Sequence, residues 1–149
     1  MIRRVLVVCI GNICRSPMAE GLFRQAIPRL QVGSAGMSAM VGYPADPIAV
    51  QIMADAGIDI SAHRARTLSD TIARDADLIL VMDKMQQKHM SMQYPYTQGK
   101  VFRLAEANGL DIPDPYRRTP ELFQTVFSMV QSGVAEWTKR IESISERHS

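Results

Sequence analysis

Residues 5–20 read VLVVCIGNICRSPMAE. Val5, Leu6, Val7 and Val8 form a short apolar, mostly β-branched run, the pattern of a buried strand. They deliver Cys9 into a loop holding Gly11 and Asn12, residue types that accept a positive φ readily. Arg15 follows after five intervening residues, and Ser16-Pro17 reads as an N-cap and a first helical residue. A strand that enters a helix through a tight loop is the opening of a β-α-β unit, which implies a parallel sheet with helices packed on it.

The loop also has chemical sense. A helix N-terminus carries about half a positive charge. Backbone N–H groups of Ile10, Gly11, Asn12, Ile13, Cys14 and Arg15, turned inward, make an anion nest of the kind that binds phosphate. The Arg15 guanidinium can hold two oxygens at once, which an ammonium cannot. Thiolate is the nucleophilic form of cysteine, and positive surroundings favour it. Cys9 therefore reads as a nucleophile aimed at a bound phosphate ester, with the Ser16 hydroxyl in reach of its sulfur. Taken alone, a cysteine after a run of valines is a buried small hydrophobe. The order strand, Cys, Gly-Asn, Arg-Ser-Pro, helix is what favours the chemical reading.

Working outward, residues 2–8 are the first expected strand and residues 17–27 a helix. A second strand is expected near Leu30–Ser34, ending at Gly36, with a loop over residues 36–45. Asp46-Pro47 caps a helix to about Ala56, which Gly57 stops. Ser69 caps a short helical turn, residues 75–83 form a buried strand, and a helix runs from about Lys84 to Met92. Lys100–Leu104 is a short strand, and Thr119-Pro120 caps a long final helix. Alternating strands and helices predict an α/β fold: a doubly wound, four-stranded parallel sheet of the flavodoxin-like type, with helices on both faces and a single domain over residues 1–149. Ligands of such sheets bind beyond the carboxyl ends of the strands, where the strand order switches, and the loop after the first strand belongs there.

Composition bounds the rest. Hydrophobic residues make up 46% and charged residues 21% of the 149 residues, with a net charge of +2, so no strong field toward nucleic acid or membrane is expected. Arg64 with Arg66, and Arg117 with Arg118, are either solvated surface or a basic rim for phosphoesters. The apolar start is too short to span a membrane and ends in a polar loop, so a cytoplasmic, monomeric protein is expected. Two cysteines make no disulfide scaffold, and His63, His89 and His148 are not spaced with them as zinc ligands. No metal and no cofactor are expected. Cys14 shares a tight loop with Cys9, so it is either a redox partner that closes a disulfide on oxidation or packing beneath the loop.

Breaking a phosphate ester is easier if an acid protonates the leaving oxygen and its carboxylate then activates water. Asp46-Pro47 opens a helical pattern and reads as a cap. Asp114-Pro115 opens none, because Thr119-Pro120 does so five residues later; Asp114 is therefore the candidate acid, with Asp111 in reserve.

Residues 9–16, CIGNICRS, resemble the active-site signature of the low-molecular-weight protein tyrosine phosphatases, and 112–118, IPDPYRR, resemble that family's general-acid motif. The resemblance spans essentially the whole chain. It implies Cys9 as nucleophile, Arg15 as phosphate ligand and Asp114 as acid and base. Asn12, Ser16 and Ser34 resemble positions whose polar side chains brace the loop, although Ser34 reads equally as surface. Tyr116 would form one wall of an aryl cleft, with Met40 or Tyr43 opposite; a methionine there departs from the aromatic usual in the family. The motif IPDPYR is similar to bacterial members that accompany tyrosine autokinases of capsule and exopolysaccharide export. The implied partner is a phosphotyrosine protein, such as the tyrosine-rich tail of an autokinase.

Rival readings are weaker. Related arsenate reductases imply further redox cysteines, and none follows Cys14. By resemblance, phosphoarginine phosphatases carry threonine where Ile13 stands. A non-catalytic phosphate-binding module would leave Asp114 without a purpose, and the glycine patterns of nucleotide-binding loops are missing.

Overall fold

The computed structural model describes residues 1–147; His148 lies outside them. Four strands, β1 (Arg4–Cys9), β2 (Gln31–Gly36), β3 (Leu78–Val81) and β4 (Val101–Arg103), pair in parallel in the order β2-β1-β3-β4. Helices α1 (Arg15–Ala26), α2 (Pro47–Asp55), α3 (Asp70–Asp75), α4 (Lys84–Gln93) and α5 (Pro120–Arg147) connect or follow them. The expected α/β class, parallel order and two-sided helical cover are all present.

Alternation along β1 divides the core in two. Val5, Val7 and Cys9 face the side covered by α1, α2 and α5, where Met18, Phe23, Met53 and Phe123 are buried. Leu6 and Val8 face α3 and α4, with Ala73 and Met90. A strand buried on both faces needs a continuous apolar run, and VLVV supplies it. The α5 helix crosses behind α1, and its Trp137 Nε1 donates to the Arg103 carbonyl at 3.1 Å, tying the last helix to the edge strand. No helix among the described residues is long and apolar enough to cross a membrane.

Several boundaries shift for local reasons. The third strand is shorter than residues 75–83 because its flanking aspartates have other tasks. Asp77 Oδ2 accepts from the N–H groups of Arg3 and Arg4, both at 2.9 Å, and Asp83 caps α4 by accepting from Gln86 N at 2.7 Å. Asp46 caps α2 through Ile48 N, as expected. Ser16 does not cap α1: the helix begins at Arg15, and the Ser16 hydroxyl is committed to side chains of the loop. Gly11 does not adopt a positive φ; Asn12 does, at 60°.

Candidate active site

The order β2-β1-β3 puts a topological switch at the carboxyl end of β1, and Cys9 is its last residue. Beyond it, residues 9–14 form a loop whose carbonyls are all engaged from outside. Met37 N, Ser38 N and Met40 N donate to the carbonyls of Cys9, Ile10 and Gly11, each at 3.0 Å. Asp46 N donates to Ile13 O at 2.8 Å, and Met18 N to Cys14 O at 3.3 Å. His63 Nε2 lies 2.7 Å from Asn12 O; a carbonyl only accepts, so that ring nitrogen carries the proton. With the carbonyls held outward, the N–H groups of residues 10–14 are left for the concave side, and among the described residues none of them has a backbone acceptor.

Asn12 holds this shape. It is fully buried in a left-handed conformation. Its Nδ2 donates to Ser16 Oγ (2.8 Å) and Ser34 Oγ (2.9 Å), and its Oδ1 accepts from Arg66 N at 3.0 Å. Ser34 in turn donates to Glu20 Oε1 at 2.5 Å. Ser16 Oγ, already accepting from Asn12, lies 2.8 Å from Cys9 Sγ. Its own proton is thus left for the sulfur, a hydrogen bond that strengthens when the acceptor is anionic.

Arg15 is 2% exposed. Its Nη1 donates to Ile112 O at 2.7 Å and lies 4.0 Å from Asp83 Oδ2, while Nη2 lies 3.9 Å from Asp114 Oδ2. Its Nε is buried without a protein acceptor, an orphan donor that a bound oxyanion would satisfy. Asp114 is half-exposed, and its Oδ1 accepts from Tyr116 N at 3.1 Å, which leaves Oδ2 toward the cleft mouth. Asp111 is turned away, accepting from Arg103 Nη1 at 3.0 Å and Lys84 N at 3.1 Å.

The cleft above Cys9 has a volume of 210 Å³ and is lined by Ile13, Arg15, Ser38, Met40, Asp114 and Tyr116, among others. Met40 therefore occupies the wall opposite the Asp114 loop. Tyr43 does not line the cleft: its N–H bonds back to Met40 O in a tight turn, Gly42 has a φ of 82°, and the ring is 56% exposed. Cys14 is buried in the loop and lines the cleft beside Cys9, and burial first, then the charges of Asp46, Cys9 and Asp114, push its thiol far up. The neutral thiol is the form its surroundings favour.

Sequence reasoning missed Asp83, His63, Glu20, Ser38 and the Ile112 carbonyl. Glu20 stands one helical turn beyond Ser16 and Asp83 caps α4 just after a strand, so both had positional signals. His63 and Arg66 had none; Arg66, read as surface or rim, uses its backbone N–H and its guanidinium on the scaffold.

Residues 4–147 match the family described as low molecular weight phosphotyrosine protein phosphatase. The chain belongs to that family. Among its relatives is a probable low molecular weight protein-tyrosine-phosphatase, EpsP of Ralstonia nicotianae, 51% identical over 144 residues that cover 97% of this chain and 99% of the relative. The crystal structure of the tyrosine phosphatase AmsI of Erwinia amylovora superposes with a TM-score of 0.91 at 36% identity, covering 94% of this chain and 93% of that one. The arginine phosphatase YwlE, known from Bacillus subtilis, superposes with a TM-score of 0.87 at 27% identity, covering 93% of this chain and 95% of that one. The low molecular weight phosphatase fold thus accommodates more than one phosphorylated residue, and the cleft wall has to choose between them.

In this low molecular weight phosphatase one glycine couples the sheet to the loop. Gly36 pairs with Cys9 in the β1–β2 ladder, and a Cβ on it would sit 2.5 Å from the Ile10 carbonyl. That neighbour is backbone and cannot rotate away. Gly36→Ala should therefore displace the loop, lowering kcat about 10–100-fold. Steady-state kinetics beside a thermal melt check this; an alanine variant with unchanged kcat would remove Gly36 from the site's geometry.

Proposed function

We infer that this protein is a protein-tyrosine-phosphatase that works through a cysteinyl-phosphate intermediate. The Cys9 sulfur attacks phosphorus, the bond from phosphorus to the tyrosyl oxygen breaks, and Asp114 gives its proton to that oxygen. The Asp114 carboxylate then takes a proton from water, the water oxygen attacks phosphorus, and the phosphorus–sulfur bond breaks to release inorganic phosphate and thiolate. Arg15 and the N–H groups of Ile10 through Arg15 hold the equatorial oxygens throughout. The observation that carries this reading is the outward fastening of all six loop carbonyls around Cys9, with Arg15 and Asp114 on the open side.

Phosphotyrosine is favoured over phosphoarginine by Ile13, which is buried in the cleft lining and offers only apolar surface. Guanidinium donors left unpaired there cost about 1–3 kcal/mol each, whereas an aryl ring packs between Met40 and Tyr116. Serine's short side chain leaves its phosphate short of the cleft floor. The physiological substrate we propose is the tyrosine-rich tail of a bacterial autokinase of exopolysaccharide synthesis, met by a cytoplasmic, monomeric enzyme that needs no metal or cofactor. EpsP-like relatives and the IPDPYR motif support that role.

Peptides identical but for the phosphorylated residue test this. The expected kcat/KM for phosphotyrosine exceeds those for phosphoarginine and phosphoserine by at least about 100-fold, on the order of 3 kcal/mol. Comparable rates on phosphoarginine would overturn the Ile13 argument and the substrate assignment with it.

A further inference from the structure

We propose that a second groove, beside the catalytic cleft, selects substrates that carry a large apolar side chain next to the phosphotyrosine. The proposal rests on the phosphatase reading above and extends it from the reacting group to the flanking chain. The groove has a volume of 430 Å³ and is walled by Ile10, Met37 and Met85, with Asp83 and Gln86 behind them. It is continuous with the cleft: Ile10, Arg15, Ser38 and Asp114 line both. A peptide whose phosphotyrosine reaches Cys9 must run over one rim of that cleft, and this rim is where a neighbouring side chain finds a recess.

Exposed apolar surface marks this groove. Among the described residues, Ile10 and Met85 are two of the seven large apolar side chains left exposed, and both line it. Met85 is 82% exposed on the first turn of α4, a position that nothing in the packing of the helix explains. Methionine is flexible and polarisable, so Met37 and Met85 can close on leucine, tyrosine or phenylalanine alike. Charge adds no pull of its own: the groove's carboxylates, Asp83 and Asp114, both lie within 4.0 Å of the Arg15 guanidinium, and His89 completes the lining. An apolar flanking residue loses only water on the Ile10, Met37 and Met85 walls, whereas a carboxylate there is left without a dedicated cation.

Tyrosine phosphopeptides carrying leucine, alanine or aspartate at the positions immediately before and after the phosphotyrosine provide the test, with free phosphotyrosine as reference. In the wild type, kcat/KM should be about five- to tenfold higher for leucine than for alanine at one of the two positions, mostly through KM, and no higher for aspartate than for alanine. Met85→Glu should bring the leucine peptide down to the alanine value. Met92→Glu, an exposed methionine on the same helix but outside the groove, should leave the leucine-to-alanine ratio unchanged. Equal rates for all three peptides, a preference for aspartate, or the same loss in both variants would overturn the groove. A leucine advantage that vanishes as enzyme concentration rises would assign the groove to a second copy of this chain and overturn it too. Failure of the phosphatase reading is distinct, because free phosphotyrosine would then not be hydrolysed at all.

Discussion

Cys9→Ser is expected to lower kcat by at least about 10⁴-fold while leaving oxyanion binding in place. The nest is built from backbone and from Arg15, and the substitution touches neither. A serine hydroxyl beside Ser16 has no base to take its proton, because Asp114 lies across the phosphate-binding space from it and is needed for the leaving group. Rapid quenching of the wild type with a phosphotyrosine peptide should trap phosphorus on the Cys9 sulfur. Recovery of the adduct on Cys14 instead would refute the assignment. The structure gives a reason to expect otherwise, since burial favours the neutral thiol at Cys14.

The second large effect is expected at Asp114. Its Oδ2 faces the Arg15 guanidinium at 3.9 Å at the open side of the cleft, where a departing tyrosyl oxygen emerges. Asp114→Asn should lower kcat by about 10²–10⁴-fold for basic leaving groups and far less for acidic ones, because protonation matters most when the departing oxygen is a strong base. A series of aryl phosphates of graded leaving-group pKa reads this as a steeper dependence in the variant. Asp111→Asn should leave that slope unchanged: Asp111 is occupied by Arg103 and Lys84 N, and its loss is felt in stability. An equal loss for every aryl phosphate in the Asp114 variant would move the acid elsewhere.

The fold was legible because its central strand is buried on both faces and reads as an unbroken apolar run, and because Asp46-Pro47 and Thr119-Pro120 punctuate helices in a way that local geometry obeys. The three residues proposed for catalysis stood out for a different reason: Cys9 and Arg15 sit in one short loop, and Asp114 sits in a loop with no helix to cap. The parts that escaped are those that act through space. Nothing in the spacing of His63 or Arg66 says that they fasten Asn12 from 51 and 54 residues away. Two local readings also gave way to tertiary demands. Ser16 serves the nucleophile instead of a helix end, and the left-handed residue is Asn12, whose side chain has three partners to hold it there, instead of the freer Gly11.

The tie from Arg15 to the Ile112 carbonyl has a consequence for how the enzyme comes into being. On a growing chain Cys9 is made before every group that fastens its loop from elsewhere in the fold. The groups that fasten the loop carbonyls extend to His63, the groups that aim the guanidinium wait for Asp83 and Ile112, and the acid comes two residues later. Only then does α5 emerge to close over α1. Synthesis therefore delivers the reactive thiol first and its competence last. A chain that has not yet reached Ile112 and Asp114 has its sheet strands but lacks the carbonyl that holds Arg15 and the proposed acid, so it carries a cysteine without the means to turn over a phosphoester.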